Sequence, residues 1–397
     1  MPTAAASKEY AYDAQGQLAT ETDGSVSRAY AYDTVGNIRS VTTDGAVIKS
    51  FGYTNPSWPD LLTSVTANGT TKDVLYEGQS QTSDLPSSGN PVTYYNGKDY
   101  SFTWTKGRQL TSATVDGEQV SYTYDMSGVR SNKQVGDTTY TYTTLSGKVM
   151  RQQWGEKSLE FVYDDGNQPF AVIYNDGSTS TLYYYVLNAQ GDVAAILNSS
   201  GKLAASYDYD AWGNCTVYDS SAKVLTDPTS IANLNPLRYR GYYYDAETGF
   251  YYLQSRYYDP AIGRFINADS YASTDMVGLL STNMFSYCEN NPVMRVDPTG
   301  KFWDILDCFM AALSWDDFLE SPSLVNLGWA ALDTLALLPG VPSSGYARRG
   351  VEVVSSISHA NKAKDVAKVG WKVGDDISKL TRAGNVPSWS TVRQRYW

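Results

Sequence analysis

The phrase Tyr10-Ala11-Tyr12-Asp13-Ala14-Gln15-Gly16 returns as Tyr30-Ala31-Tyr32-Asp33-Thr34-Val35-Gly36 and as Tyr122-Thr123-Tyr124-Asp125-Met126-Ser127-Gly128. Further copies begin at Phe161-Val162-Tyr163-Asp164 and Tyr207-Asp208-Tyr209-Asp210, and weaker ones sit at Phe102-Thr103-Trp104 and Tyr140-Thr141-Tyr142. An internal repeat constrains a fold before any other feature does, because each copy must build the same small unit. In an extended chain, Tyr-x-Tyr puts both rings on one face, since side chains alternate with period two. The Asp that comes next can accept from backbone amides ahead of it, and the Gly accepts positive φ, so each copy reads as a strand that ends in a turn. Asp23-Gly24, Asp44-Gly45, Asn68-Gly69 and Asp116-Gly117 add hairpin signals between copies.

The copies are unevenly spaced, which excludes a strict solenoid and leaves a continuous ribbon of antiparallel hairpins with loops inserted at 53–60 and 77–92. Such a ribbon must twist, and neighbouring hairpins hide each other's edges, so it coils into a curved shell. Residues 1–300 are expected to be almost wholly β, with no helix longer than two turns. Equivalent positions for Tyr12, Tyr32, Tyr124, Tyr163 and Tyr209 predict a ladder of stacked rings, each pair contributing roughly 0.2–1 kcal/mol. The 33 Tyr against 10 Phe suggest sheets wetted on at least one face rather than an oily core.

Residues 237–300 depart from this phrase. Tyr243-Tyr244-Asp245 and Tyr257-Tyr258-Asp259 end aromatic strands, and each Asp is succeeded by Gly at the fourth position, Gly249 and Gly263, in a form that reads as a turn capped by the Asp side chain. Asp259-Pro260, Asn291-Pro292 and Asp297-Pro298 punctuate the rest, because Pro disfavours helix in the residue before it. The stretch from Leu237-Arg238-Tyr239-Arg240-Gly241, through Arg256-Tyr257-Tyr258-Asp259-Pro260 and Gly263-Arg264-Phe265-Ile266, to Asn290-Asn291-Pro292 and Asp297-Pro298-Thr299-Gly300 closely resembles the Rhs repeat-associated core. In bacterial polymorphic toxins that core closes the Rhs/YD-repeat shell. The resemblance implies a mainly β fold: a YD-repeat hairpin ribbon coiled into a hollow cocoon, with the core rolled inward as a plug and a small α-helical segment after it.

Four regions are expected on this reading. They are a β-shell over 1–236, the core over 237–300, an apolar helical segment with linker over 301–345, and a basic segment over 346–397. Helical spacing is visible over 302–313 and 323–338, the second ended by Pro339-Gly340 and too short to cross a bilayer. Residues 384–397 resemble the entry to HNH-type nuclease toxins; no His comes after them, so the catalytic part of such an effector is expected to be absent from the chain. The opening residues MPTAAASKEY carry no export signal and read as the inside of a longer repeat array.

Charge and composition narrow the chemistry. Residues 1–300 carry 20 Lys+Arg against 32 Asp+Glu, which argues against nucleic-acid binding by the shell, while residues 346–397 carry 10 against 4. Cys215, Cys288 and Cys308 are an odd count without metal spacing, and the first two read as buried small hydrophobes. With His359 as the one histidine, a Ser-His-Asp triad and a multi-His metal site have no support, and neither cofactor nor metal is expected.

One catalytic constellation is left, the carboxylates of Asp269 and Asp297. The family resemblance implies aspartyl-protease-like self-cleavage that frees the C-terminal toxin, with the scissile position at Lys301. Two carboxylates brought together cannot both ionise cheaply, so one holds a proton as acid while the other activates water. Ser270 stands where the family has Pro, Lys301 stands where it has Leu, and both Asp residues could serve as turn caps. The expected function is a shell that encapsulates and presents a C-terminal toxin in interbacterial competition, secreted or at the cell surface. Its partners are then its own toxin domain and that toxin's immunity protein. The alternative is a surface adhesion protein whose Tyr-rich hairpins bind cell-wall glycan.

Overall fold

The computed structural model describes residues 8–269 and 282–300. Strands succeed one another in space as they do in sequence. A seven-stranded sheet runs from Lys8–Tyr12 to Thr70–Asp73, and a fourteen-stranded sheet from Leu75–Tyr76 to Cys215–Asp219. Neighbouring strands pair antiparallel, as hairpins require. The loops expected at 53–60 and 77–92 separate strands at Ala46–Gly52 and Ser64–Ala67, and at Leu75–Tyr76 and Pro91–Tyr95. Among the described residues the α-helix is Ile231–Leu234, capped by the Ser230 hydroxyl, so the expectation of β structure with little helix holds there.

The copies that end in Asp13, Asp33, Asp125 and Asp210 build the same turn. The Asp33 carboxylate accepts from the amides of Val35 (3.1 Å) and Asn37 (2.9 Å), Gly36 N–H donates to Asp33 O, and Gly36 sits at φ +81°. Asp13 and Asp210 repeat the pattern onto Gln15 and Gln17, and onto Trp212 and Asn214. Immediately before four of the turns the register slips by one residue, at Ala11/Tyr12, Ala31/Tyr32, Thr123/Tyr124 and Val162/Tyr163, while Tyr209 pairs with Cys215 in unbroken register. A bulge strengthens local twist and bends its strand, so a bend is written into these copies of the repeat.

The ring ladder is corrected. Tyr12, Tyr32, Tyr124, Tyr163 and Tyr209 do hold equivalent positions, but among the described residues no two of these five rings pack on each other. Four of them instead donate their hydroxyls backward, to the carbonyls of Leu18, Leu110, Val149 and Val193, at 2.7–2.9 Å. Each of these Tyr side chains reaches back past the preceding turn, where its tip meets a carbonyl at the start of a strand. Each such bond contributes about 0.5–1.5 kcal/mol net.

The core region forms a third sheet, Tyr243–Asp245, Phe250–Tyr252, Tyr257–Asp259 and Arg264–Phe265. All its residues are buried except the half-buried Tyr244, so it is covered on both faces. Side chains of the region reach into both large sheets. Tyr251, Tyr258 and Tyr239 donate to the carbonyls of Gly213, Trp212 and Ala211 in one repeat turn. Asn290 and Asn291 donate to Gly36 O and Gly16 O in two others. The expectation of sheets wetted on one face holds where Asp99–Thr105 alternates exposed and buried residues, and fails for the core: Tyr251, Tyr258 and Tyr287 are fully buried, because carbonyls of the turns and neighbouring hydroxyls give their phenols partners away from water.

Two further ties close the ribbon. Lys8 Nζ, on the first strand, lies 2.8 Å from Asp208 and 3.0 Å from Asp23. Beside it, buried Glu21 accepts from Ala211 N–H at 2.8 Å.

Candidate functional site

The tight loop between the strands Phe250–Tyr252 and Tyr257–Asp259 turns through Gln254, a non-glycine residue at φ +65°. It delivers Arg256 into the interior, where the guanidinium lies 3.5 Å from the centre of the Phe265 ring. Every edge of the fork is occupied. Nη1 donates to Met284 O (3.2 Å), and Nη2 meets Asp269 Oδ2 (3.0 Å) and Asp297 Oδ2 (3.1 Å). Nε donates to Gly300 O at 2.5 Å.

The two acids singled out in sequence are therefore brought together, though through a shared nitrogen. Their side chains are 7% and 2% exposed, a site nearly closed to water. Burial pushes the Asp297 carboxyl up from its ordinary value; Arg256 pulls it back down and Asp269 pushes it up again. Burial also lowers the Arg256 guanidinium, against the pull of both carboxylates. Asp297 keeps its role as a turn cap as well: Oδ1 accepts from Thr299 N–H at 3.3 Å while Oδ2 faces Arg256.

The backbone of Thr299 and Gly300 is held by the same loop. Ser255 Oγ donates to Thr299 O at 2.8 Å, and Ser255 N–H reaches the same oxygen at 3.3 Å. Gly300 is at φ +73°, and a Cβ there would stand 2.9 Å from Leu253 O and 3.1 Å from Arg256 N. Position 300 thus admits glycine alone without displacement of the loop.

Sequence reasoning missed Arg256, which looked like part of an aromatic strand phrase. A basic residue with an apolar plug on both sides needs a carboxylate, and that demand was the available signal. Asp245 is a correction of the same kind. Its turn closes through the backbone, with Gly249 N–H donating to Asp245 O, while its carboxylate pairs with Arg130 (2.5 Å) and Lys133 (3.4 Å) on the shell. The Arg130 guanidinium is ringed by Tyr252, Tyr243, Tyr122 and Tyr142, 4.4–5.1 Å from their centres.

Cys288 is buried and Cys215 half-buried, and burial raises both thiols, Cys215 to about 11. Neither is suited to act as a thiolate. Among the described residues no His, Cys, Asp and Glu group is placed to hold a metal, and no helix is long and apolar enough to cross a membrane. Ser270, Lys301, Cys308, His359, the helices expected over 302–313 and 323–338, and the basic segment lie outside the described residues.

A hairpin ribbon with a bulged Tyr-Asp turn in its repeats, closed over its own aromatic sheet, defines the Rhs/YD-repeat class. The Teneurin YD-shell family model matches residues 1–293, and the chain belongs to that family. The tRNA nuclease WapA of Bacillus subtilis (strain 168) is 35% identical over 322 residues, covering 76% of this chain and 12% of the relative. Double-stranded DNA deaminase toxin A of Burkholderia cenocepacia (strain H111) is 31% identical over 130 residues, 32% of this chain and 8% of that protein. The chain thus spans only a small part of these curated relatives. The crystal structure of TcdB2-TccC3-Cdc42 aligns over 74% of this chain and 17% of that one, at 21% identity and a TM-score of 0.48.

Proposed function

We propose that this chain is the closing part of a toxin-carrying shell and that it cuts itself near Lys301, freeing the segment beyond from the plug. The observation that carries the reading is the convergence of Asp269 and Asp297 on one nitrogen of Arg256, which also holds the Gly300 carbonyl. A turn cap needs no such company. Relatives named for two different activities, a tRNA nuclease and a DNA deaminase toxin, support a common carrier with exchangeable effectors, acting between bacteria after secretion or display at the cell surface. An immunity protein for the effector belongs to the same reading.

The experiment is direct. Expressed as the full chain, the parent gives two bands on a denaturing gel, one ending near Lys301 by mass spectrometry, and Asp297→Asn gives one intact band. A parent that stays intact removes self-cleavage and leaves both carboxylates structural.

A second reading, adhesion to cell-wall glycan, draws on half-buried Tyr140, Trp154 and Tyr174, where Trp154 and Tyr174 lie nearly parallel at 12° and 6.4 Å. Sedimentation with isolated cell walls separates the two.

A further inference from the structure

We propose that the seam where the first sheet meets the plug is a binding site for a small carboxylate, held at its head by Arg28, Lys49 and the indole N–H of Trp212. The site stands apart from the acid pair, so it holds whether or not the chain cuts itself.

A pocket of about 140 Å³ lies between the strands Val26–Tyr32, Ile38–Thr43 and Ala46–Gly52, the repeat turn at 210–214 and the plug loop at 260–263. Strand register assembles one wall. Tyr30 pairs with Val41 and Val41 with Lys49, so the three stand side by side, and Arg28 shares the face of Tyr30 by the two-residue period. Buried Ile38 and Ile262 add an apolar lining. An engineered cavity of roughly 150 Å³ takes a benzene molecule, so this one admits a ligand of about six heavy atoms.

Three donors at the pocket are short of acceptors. Trp212 is 2% exposed, and its Nε1 has no hydrogen-bond partner among the described residues. Arg28 Nη1 is buried without one as well, and lies 3.7 Å from Glu21 Oε2, beyond hydrogen-bond reach. Lys49 Nζ donates to Ala261 O at 2.6 Å, while burial lowers its ammonium against the pull of Asp259 and Asp210.

The acids nearby are engaged elsewhere. Asp210 accepts from the amides of Trp212 and Asn214 and from the Asn214 side chain. Asp259 accepts from Ala261 N–H, Tyr94 and Asn96, and Glu21 from Ala211 N–H and Tyr30. A buried donor without an acceptor is costly, and an orphan indole N–H flanked by two cations calls for an anion. A carboxylate offers two oxygens to these donors and carries a carbon chain that suits Ile38, Val41 and Ile262; phosphate has no use for that wall.

The test titrates the full chain, carrying isotope-labelled tryptophan, and follows it by NMR. The Trp212 indole resonance is the one missing from Trp212→Phe. Butyrate is expected to move it along a saturating curve with a Kd on the order of 1 mM, reasonable for so small a ligand. Butyramide, of the same shape without the charge, is expected to bind roughly tenfold more weakly or worse, and Lys49→Met to weaken butyrate by a similar factor. Should Lys49→Met fail to fold by thermal melting, the butyrate and butyramide titrations, which use the parent alone, decide. N-acetylglutamate N-methylamide separates the two sources of such a head group: binding tighter than butyrate assigns the site to an acidic side chain of a peptide, and weaker binding assigns it to a free acid. A resonance that stays fixed at butyrate roughly a hundredfold above that Kd overturns the proposal. Equal movement with butyramide or with inorganic phosphate overturns it too, leaving an apolar niche or an adventitious ion only.

Discussion

At the scale of single residues, charges buried in the interior meet opposite charges and aromatic rings. Arg130 is the clearest case, a guanidinium with four tyrosine rings around it and Asp245 at 2.5 Å. Removing one partner of a buried pair leaves the other charged and unsolvated, typically at a cost of about 3–5 kcal/mol, whereas exchanging both for apolar residues costs far less. Asp245→Asn is therefore expected to lower stability by about 3 kcal/mol or more, and Arg130→Met with Asp245→Leu by clearly less, as read by urea denaturation. A double variant that loses as much as the sum of the two singles would show the pair to be uncoupled. None of this was legible in the sequence. Arg130 and Asp245 belong to different regions of the chain, and pairing across that distance leaves no mark in local spacing.

At the scale of elements, the repeated turn was legible, because Asp, Gly and the alternating aromatics are local demands of the backbone. The hidden part was the surface each turn faces. Gly213 at φ +93° lies under Tyr239, whose ring carbons would stand 2.7 Å from an added Cβ, while Gly16 at φ +80° has nothing within 4 Å. Alanine at either position is strained by its positive φ, by roughly 1–2 kcal/mol. At Gly213 it must also displace a ring that donates to Ala211 O. Gly213→Ala is expected to cost more than Gly16→Ala in the same denaturation experiment. Equal costs would mean that the plug does not read the turns. The proposed cleavage site divides in the same way: Asp269 and Asp297 stood out through their motif, whereas Arg256 needed the plug to be folded before its role could be seen.

At the scale of the whole described body, the ribbon is closed where Glu21 accepts from Ala211 N–H and Tyr30 Oη, with Arg28 at 3.7 Å and Asp210 nearby. Burial first, then the charge of Asp210, raises the Glu21 carboxyl from 4.5 to about 7. A carboxyl raised in the folded state binds its proton more tightly there than in the unfolded chain. Its contribution is present in full below pH 4.5 and is lost as pH rises through about 7. The melting temperature of the parent should therefore fall relative to that of Glu21→Gln between those values; a constant difference would place no titration at the seam.

The plug has one more consequence, for biosynthesis. The strands of the shell precede residues 237–300 in sequence, so the ribosome finishes the wall before it makes the filling. At roughly 5–20 residues per second, the inward-facing aromatics of the earliest hairpins wait many seconds for the sheet that will cover them. A nascent shell of this kind is a natural client for chaperones until its last strand arrives.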